Sequence, residues 1–341
     1  MPLVPMKQIL DEAERGGYGV GAFNVNNMEQ VQAIMRAARE ANSPVIIQAS
    51  RGALRYTNLV YLRHLMHAAV EDNPNVKIAL HLDHGNDLDV VQQAIDLGFT
   101  SVMIDGSLEP DGKTPRAFES NVEITRQAVE LAHPFGVTVE GELGTLGGIE
   151  EHVQASRVIL TDPEEAVQFV ALTGVDALAV AIGTSHGAYK FKVAPTLAVD
   201  RVERIHRLVP HVRLVMHGSS SVPQDLIAEI NRYGGKMPNA MGVPVEAIQD
   251  AIRRGIRKIN VDTDTRLAAT ATIRRIFHEE PGVFDPREYL GPARDAIYRV
   301  VKARMEAFGS AGRNDDYAPA TLDDARRAYE SSGQWPVVSG Q

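Results

Sequence analysis

The first residues of this chain that could do chemistry together are Asp83 and His84, which are followed at once by Gly85. They end an apolar run, residues 76–82, whose short length and flanking Asn-Pro and Gly-Asn pairs predict a buried strand. Side chains alternate between the two faces of a regular strand, so these neighbours can face one pocket only if the chain turns here. That turn would place both at the carboxyl end of a strand, where α/β enzymes carry their chemistry. The alternative is a helix-capping aspartate beside a surface histidine.

Two further histidines follow predicted strands in the same way. His84, His186 and His217 come after the third, sixth and seventh predicted strands, each beside a glycine. Three neutral imidazoles with one open position form a recognised catalytic zinc arrangement, and imidazole also suits other transition metals. A single histidine is more often a capping or core residue, but three at strand ends favour a metal site. Because the chain has no cysteine, that site could use only histidines and carboxylates.

Two loops have the composition of a phosphate site. Residues 217–221, His-Gly-Ser-Ser-Ser, leave the seventh strand, and residues 260–265, Asn-Val-Asp-Thr-Asp-Thr, leave the eighth. In closed barrels of eight alternating strands and helices, the loops after the seventh and eighth strands recurrently bind phosphate. They do so through backbone N–H groups, hydroxyls and the positive end of a helix. Each loop alone is ordinary helix-capping chemistry. Together, beside the histidines, they predict phosphate binding.

Short apolar strands alternate with amphipathic helices over most of the chain. The predicted strands span residues 19–23, 45–49, 76–82, 101–104, 137–140, 177–182, 213–216 and 256–261. Such Val-, Ile-, Leu- and Ala-rich strands are buried on both faces, and eight of them fit a closed (β/α)8 TIM barrel better than an open doubly wound sheet. No Gly-x-Gly-x-x-Gly follows the first strand. We therefore expect an α/β protein with a barrel catalytic domain over residues 1–280. Residues 281–341 should form a helical extension that packs on the barrel and ends in a polar tail.

Composition limits the partners of the protein. The 341 residues carry a formal net charge of −9, which argues against general binding of nucleic acid or anionic membranes and suits a cytoplasmic protein. The N-terminus lacks the pattern of a signal peptide. No apolar run approaches the ~18 residues that a membrane span needs.

Taken together, the motifs resemble those of class II, metal-dependent fructose-1,6-bisphosphate aldolases, and most closely the Calvin-cycle-type subfamily. The matching stretches follow one another along nearly the whole barrel, at residues 80–84, 102–107, 140–151, 183–187, 217–221 and 260–265. The resemblance implies that His84, His186 and His217 are ligands of a catalytic Zn²⁺ ion. It also implies that Asp83 is the acid or base that acts on the aldehyde half of the substrate.

The same resemblance implies further site residues. Asp105 and Glu142 match the ligands of a second, less tightly held divalent ion, and dependence on a monovalent cation is common in the family. Ser50 matches the glyceraldehyde-3-phosphate site, and Asn24 matches a substrate-positioning asparagine. The dihydroxyacetone-phosphate site is matched by Gly187, Gly218, Ser219, Ser220, Asn260, Val261, Asp262 and Thr263. The family suggests a phosphorylated sugar as substrate and a homodimer or larger homo-oligomer. Residues 234–244 depart from the shorter family members and look like an insertion, to which no role is assigned.

Aldol cleavage chemistry favours a metal over a lysine. Cleaving a β-hydroxy ketone leaves an enediolate, which needs either a Lewis acid at the ketone oxygen or a lysine Schiff base. Lys77 and Lys258 lie near the starts of predicted strands, which is the wrong end of a barrel for chemistry. Lys190, on the loop after the sixth strand, could reach a phosphate. The Schiff-base route is therefore disfavoured.

A base must also move the proton at the enediolate carbon. Residues 147–151, Gly-Gly-Ile-Glu-Glu, place two carboxylates on a glycine-hinged loop that could close over substrate and exclude water. We favour Glu150 over Glu151 as this base. The alternative is a solvated glutamate pair on a flexible loop.

The leading hypothesis is thus a zinc-dependent aldolase that reversibly cleaves fructose 1,6-bisphosphate to dihydroxyacetone phosphate and glyceraldehyde 3-phosphate, as glycolysis, gluconeogenesis and the Calvin cycle require. One alternative is the same chemistry on tagatose 1,6-bisphosphate or sedoheptulose 1,7-bisphosphate. Another is a non-catalytic barrel that binds metal or phosphate. That alternative predicts a missing acid or base, whereas Asp83 and Glu150 are both present.

Overall fold

The computed structural model describes residues 3–148, 158–189 and 195–331. Eight parallel strands form a closed barrel, in which neighbours in sequence pair and the last strand pairs with the first. The strands are β1 (Val20–Asn24), β2 (Val45–Ser50), β3 (Ile78–Gly85), β4 (Ser101–Ile104), β5 (Thr138–Leu143), β6 (Ala177–Val180), β7 (Arg213–Met216) and β8 (Ile256–Val261). Beyond β5 and β6, the two-residue strands Gly147–Gly148 and Ser185–His186 form a separate parallel pair. The predicted (β/α)8 barrel is confirmed.

Helices surround this barrel and extend beyond it. They are α1 (Met6–Gly16), α2 (Met28–Glu40), α3 (Arg51–Thr57), α4 (Leu59–Asp72), α5 (Leu88–Asp96), α6 (Phe118–Ala132), α7 (Pro163–Thr173), α8 (Val199–Leu208), α9 (Gln224–Arg232), α10 (Val245–Arg253), α11 (Thr263–Glu279), α12 (Pro286–Phe308) and α13 (Leu322–Ser331). A short 3₁₀ helix, His133–Phe135, follows α6. No helix among the described residues combines the length and apolarity of a membrane span.

The helix α3 was not predicted from the sequence. It starts directly after β2, where the Ser50 side chain accepts a hydrogen bond from the backbone N–H of Ala53 and so caps the helix. The helix is only seven residues long and ends at Asn58, whose φ is +70°. About two turns of helix, with Gly52 near the start, carry too little periodicity to be recognised from the sequence.

Alternation along β2 shows how the barrel positions polar groups. Val45 and Ile47 belong to the core between the barrel and its helices. Ile46 belongs instead to a second cluster inside the barrel. Because side chains alternate, Gln48 and Ser50 continue the inward-facing row toward the carboxyl end. The interior is therefore apolar near the strand starts and polar near the strand ends.

Helix α1 closes the opposite end of the barrel. Its buried residues Met6, Ile9, Leu10 and Ala13 recur at the spacing of one helical face. They join the cluster inside the barrel that contains Ile46. The amino ends of the strands are thus covered by an apolar plug, and the carboxyl ends remain as the face on which a ligand can enter.

Helix α12 lies on the barrel beside α2 and α11. Its buried residues Ile297, Val301, Met305 and Phe308 join the main core. Such apolar burial anchors the helix to the barrel, because each fully buried aliphatic or aromatic side chain contributes about 1.5–3 kcal/mol.

Candidate active site

The end of β3 departs from regular strand geometry at His84, whose φ is +51°. The pairing of β3 with β4 also shifts between Leu82 and Gly85. A left-handed conformation is uncommon for a residue other than glycine and is typical of functional sites. This turn lets consecutive side chains meet, as predicted: a carboxylate oxygen of Asp83 and ring nitrogens of His84 and His217 all lie within 4.8 Å of one another.

The three histidines predicted from the strand ends converge. His217 Nδ1 lies 2.9 Å from His84 Nε2, and the two ring centroids are 4.7 Å apart. The ring of His186 lies 5.3 Å from that of His84 and 6.3 Å from that of His217. His186 is placed there by the short strand pair, in which it is the partner of Gly148. Imidazoles this close to one another, with a carboxylate beside them, suit a transition-metal ion.

Two further carboxylates, those of Asp105 and Glu142, lie near the Nδ1 atom of His84. Asp105 Oδ2 is 3.1 Å from His84 Nδ1, and Glu142 Oε2 is 3.9 Å from the same nitrogen. Ser107 fixes Asp105 by donating from its backbone N–H at 3.1 Å and from its hydroxyl at 2.7 Å. Glu142 Oε2 is buried and has no hydrogen-bond partner among the described residues.

The pKa values of these two carboxyl groups are shifted in opposite directions. Burial raises the pKa of Glu142 well above its ordinary value, and the neighbouring Asp105 charge raises it further. Burial also acts on Asp105, but hydrogen bonds from His84 and Ser107 outweigh it and lower the pKa of that carboxyl. A buried acceptor of this kind, beside a second carboxylate and an imidazole, fits a divalent cation, whose charge would offset the burial and the repulsion that raise the pKa of Glu142.

Three side-chain amides hold the Asp83 carboxylate. Asn24 donates to Oδ2 at 2.9 Å, Gln48 donates to Oδ2 at 3.1 Å, and Asn260 donates to Oδ1 at 3.1 Å. Lys258 Nζ donates to the amide oxygen of Asn260 at 2.8 Å, so the amide nitrogen is the end that faces Asp83. Asp83 is therefore buried, oriented and solvated by neutral donors. Such surroundings suit a group that exchanges a proton with substrate.

A buried charged layer lies directly beneath the histidines. Glu140 Oε1 accepts a hydrogen bond from His217 Nε2 at 2.7 Å, and Glu140 Oε2 is 3.1 Å from Lys258 Nζ. His81 Nε2 lies 3.5 Å from Glu140 Oε2, and the His81 side chain is fully buried. Burial opposes ionisation of Glu140, but the Lys258 charge and the His217 hydrogen bond lower the pKa of Glu140 below its ordinary value.

The prediction for Lys258 was wrong, because its ammonium group belongs to this buried layer. The sequence suggested that both strand lysines would lie at the wrong end of the barrel. Lys77 does, since its Nζ contacts the backbone oxygen of Asn314. Lys258 instead extends along the barrel interior to Asn260 and Glu140, because an inward-facing lysine near a strand start is long enough to reach the next layer.

Gln48, Glu140 and Lys258 are the residues that sequence reasoning missed or gave no role. Each lies two positions before a residue of the predicted site, Ser50, Glu142 or Asn260, on the same strand. The two-residue period of a strand puts such pairs on the same side. A polar residue at that spacing inside an otherwise apolar strand was the available signal.

The two predicted phosphate loops meet. The Ser220 hydroxyl accepts hydrogen bonds from the backbone N–H groups of Asp262 and Thr263, both at 3.1 Å. Helix α11 begins at Thr263, so the positive end of its dipole lies here. One pocket is lined by ten of the predicted residues: Asn24, Asp83, His186, Gly187, Gly218, Ser219, Ser220, Asn260, Asp262 and Thr263. Small residues, hydroxyls and a helix N-terminus are a combination that binds phosphate.

Other predicted residues lie elsewhere. The Val261 side chain packs in the main core, and Ser50 caps α3 at the carboxyl end of β2. Glu150 and Glu151 lie outside the described residues, as does Lys190.

Known proteins are similar to this sequence over nearly its whole length. The family profile described as "Fructose-bisphosphate aldolase class-II" matches residues 4–313. A fructose-bisphosphate aldolase of Giardia intestinalis is 56% identical over 332 residues, which cover 97% of this chain and 100% of that protein. A class 2 fructose-bisphosphate aldolase of Synechocystis is 52% identical and covers 96% of each chain. Among solved structures, the YdjI aldolase of Escherichia coli K12 superposes with a TM-score of 0.74 at 30% identity, over 92% of this chain and 100% of that chain.

Proposed function

This chain belongs to the class II fructose-bisphosphate aldolase family, and from that premise we propose that it is a zinc enzyme that reversibly cleaves fructose 1,6-bisphosphate. The products are dihydroxyacetone phosphate and glyceraldehyde 3-phosphate. One observation carries the proposal. The oriented Asp83 carboxylate and the imidazole of His186 both line a pocket to which the two phosphate loops contribute most of the other lining residues, together with Asn24 and Gly187. A proton-transfer group, metal-ligand side chains and a phosphate pocket are therefore adjacent.

The proposed ligands of the catalytic Zn²⁺ are His84, His186 and His217, and Asp105 and Glu142 are the proposed ligands of a second divalent ion. The donor sets support this, because imidazoles suit zinc and carboxylates suit harder cations. When bound, such an ion supplies Lewis-acid stabilisation of the negative charge that develops at the ketone oxygen. Glu140 supports the site from beneath, since its carboxylate accepts a hydrogen bond from His217 and fixes the orientation of that ring.

Asp83 is the proposed acid and base for the aldehyde half. In the cleavage direction it accepts the proton of the hydroxyl that becomes the aldehyde, and in the condensation direction it returns that proton. Its three amide donors keep the carboxylate at one place on the pocket wall. Fixing the acceptor before the substrate binds lowers the entropy that must be lost at the transition state.

The loops after β7 and β8 are the proposed site of the dihydroxyacetone-phosphate phosphate group. Ser220 and Thr263 offer hydroxyls, and Gly187 and Gly218 allow the backbone to come close to the ligand. Ser219 also lines the pocket, but its hydroxyl donates to the carbonyl of Met216. Ser50, at the end of β2, is the proposed contact for the phosphate of the other product. The proposed base for the dihydroxyacetone-phosphate carbon remains Glu150, with Glu151 as its neighbour on the same loop.

We also propose several broader features of the protein. They are a catalytic domain over residues 1–280 with an extension over 281–341, a cytoplasmic location, a homodimer or larger homo-oligomer, and a role in glycolysis, gluconeogenesis or the Calvin cycle. Family membership supports them.

A cleavage assay with three substrates tests the proposed function. Fructose 1,6-bisphosphate should be cleaved with a higher kcat/KM than tagatose 1,6-bisphosphate or sedoheptulose 1,7-bisphosphate, and borohydride added with substrate should trap no covalent adduct. A higher kcat/KM for either competitor would reassign the substrate. Covalent trapping on a lysine would overturn the metal route.

A further inference from the structure

The stretch 234–244, which looked like an insertion, contacts two of the loops that line the phosphate pocket, those after β6 and β7. The backbone N–H of Met241 donates to the carbonyl of Ala188 at 3.1 Å, one residue beyond Gly187 of the pocket wall. The backbone N–H of Val243 donates to the carbonyl of Ser220 at 3.2 Å. These two bonds, whose donors are two residues apart, join the loop after β6 to the loop after β7.

Gly242, between these two donors, lies closer to the phosphate loop than any other residue type would allow. A Cβ at this position would be 2.3 Å from the carbonyl oxygen of Ser220 and 2.5 Å from the carbonyl carbon of Ser221. Both are backbone atoms, so no side-chain rotation could relieve the clash. Either the segment or the loop would have to move by about 0.7 Å to restore the 3.0 Å separation that real Cβ atoms keep.

The phosphate loop itself is held in an unfavourable conformation. Val222, at its end, has a φ of +52°, which is rare for a β-branched residue. Its side chain is fully buried in a small cluster that includes Ala240 of the same segment and Ile227 of α9. Strain of this kind persists only where surrounding contacts hold it. The segment 234–244 supplies part of that support. Ala240 packs against Val222, and the backbone of residues 241–243 contacts the neighbouring loops.

We propose that residues 240–243 form a positioning clamp for the phosphate pocket. The clamp fixes the distance between the loop that carries Gly187 and the loop that carries Gly218 and Ser220. A pocket built from backbone N–H groups and hydroxyls binds a phosphate monoester well only if those groups are already in place. Such donors are attached to the backbone directly or by one carbon, so they cannot move toward the phosphate as a long side chain can. The proposal rests on the proposed function, since it assigns to the clamp the affinity for a phosphorylated substrate.

The variant Gly242→Ala tests the clamp, with Gly282→Ala as its matched control. A Cβ at Gly282 would meet no atom within 4 Å, so the control adds the same methyl group without a clash. The metal-loaded proteins should be compared for KM and kcat in fructose 1,6-bisphosphate cleavage, for zinc affinity by chelator competition, and for inorganic phosphate affinity by calorimetry. In Gly242→Ala we expect KM and the phosphate dissociation constant to rise about tenfold or more, on the scale expected of a misplacement near 1 Å. Zinc affinity should match that of the control, which a general loss of structure would not allow.

A milder variant guards against a failure to fold. Ala240→Gly removes one buried methyl group beside Val222 and should raise the phosphate dissociation constant in the same direction by a smaller factor. Phosphate affinity and KM within twofold of the control in both variants would overturn the clamp. If the wild-type protein and Gly282→Ala neither cleave the sugar bisphosphate nor bind phosphate, the proposed function is wrong and the clamp fails with it.

Discussion

The buried pair of Lys258 and Glu140 gives the sharpest prediction about this barrel. Lys258 Nζ and Glu140 Oε2 are 3.1 Å apart, and neither side chain has any exposed surface. At that distance an effective dielectric constant of about 20 corresponds to an attraction of about 5 kcal/mol. Breaking a buried ion pair from one side costs a similar ~3–5 kcal/mol, because the remaining charge is left without compensation.

We therefore expect Lys258→Met to lower the free energy of unfolding of the metal-free protein by roughly 3–5 kcal/mol in urea titrations. The double variant Lys258→Met/Glu140→Gln should recover much of the loss, since it removes the remaining charge as well. Lys302→Met is the matched control: Lys302 Nζ lies at the same 3.1 Å from Glu306, but that pair is solvent-exposed and should contribute little. Equal stability losses in Lys258→Met and Lys302→Met, or no recovery in the double variant, would refute the reasoning.

Three further predictions follow from the same structure. Asp83→Ala should lower kcat by about 10²-fold or more, a typical general acid–base contribution, while zinc content measured by atomic absorption stays at the wild-type level; parallel loss of zinc would make Asp83 a ligand instead. Glu150→Gln should slow solvent exchange of the dihydroxyacetone-phosphate proton, followed by NMR without aldehyde, whereas Asp83→Ala should leave that exchange nearly intact; normal exchange in Glu150→Gln would move the base elsewhere. Burial raises the pKa of Glu14, but His206 and Arg257 lower it from 4.5 to about 2, so its stabilising effect is present above pH 4.5 and lost as the pH falls toward 2. Acid unfolding followed by circular dichroism should accordingly be shallower for Glu14→Gln across that window, and identical profiles would exclude the linkage.

The residues at the carboxyl ends of the barrel strands could be predicted because each of them follows an apolar run. His186 and His217 stand where a short strand stops, and closure of eight parallel strands brings such ends together. Even the turn at His84 followed from the two-residue period of a strand, since adjacent side chains could not otherwise share a pocket.

What the sequence did not reveal depends on side-chain reach and on contacts between distant segments. Lys258 lies near the start of its strand, but its side chain extends toward the carboxyl end of the barrel, where its charge lies against Glu140. Gln48 carries no motif, and its role is visible only once β2 pairs with β3 and its amide meets Asp83. The approach of Gly242 to Ser220 links two segments about 20 residues apart, and no local pattern encodes it.

Titration of zinc into the metal-free protein tests the central claim most directly. Apoprotein prepared with a chelator should receive increasing Zn²⁺, with bound metal and the rate of fructose 1,6-bisphosphate cleavage measured on the same samples. We expect no cleavage without metal and a rate that rises in proportion to occupancy of the site formed by His84, His186 and His217. Full cleavage in the metal-free protein, or a rate that does not follow zinc occupancy, would contradict it.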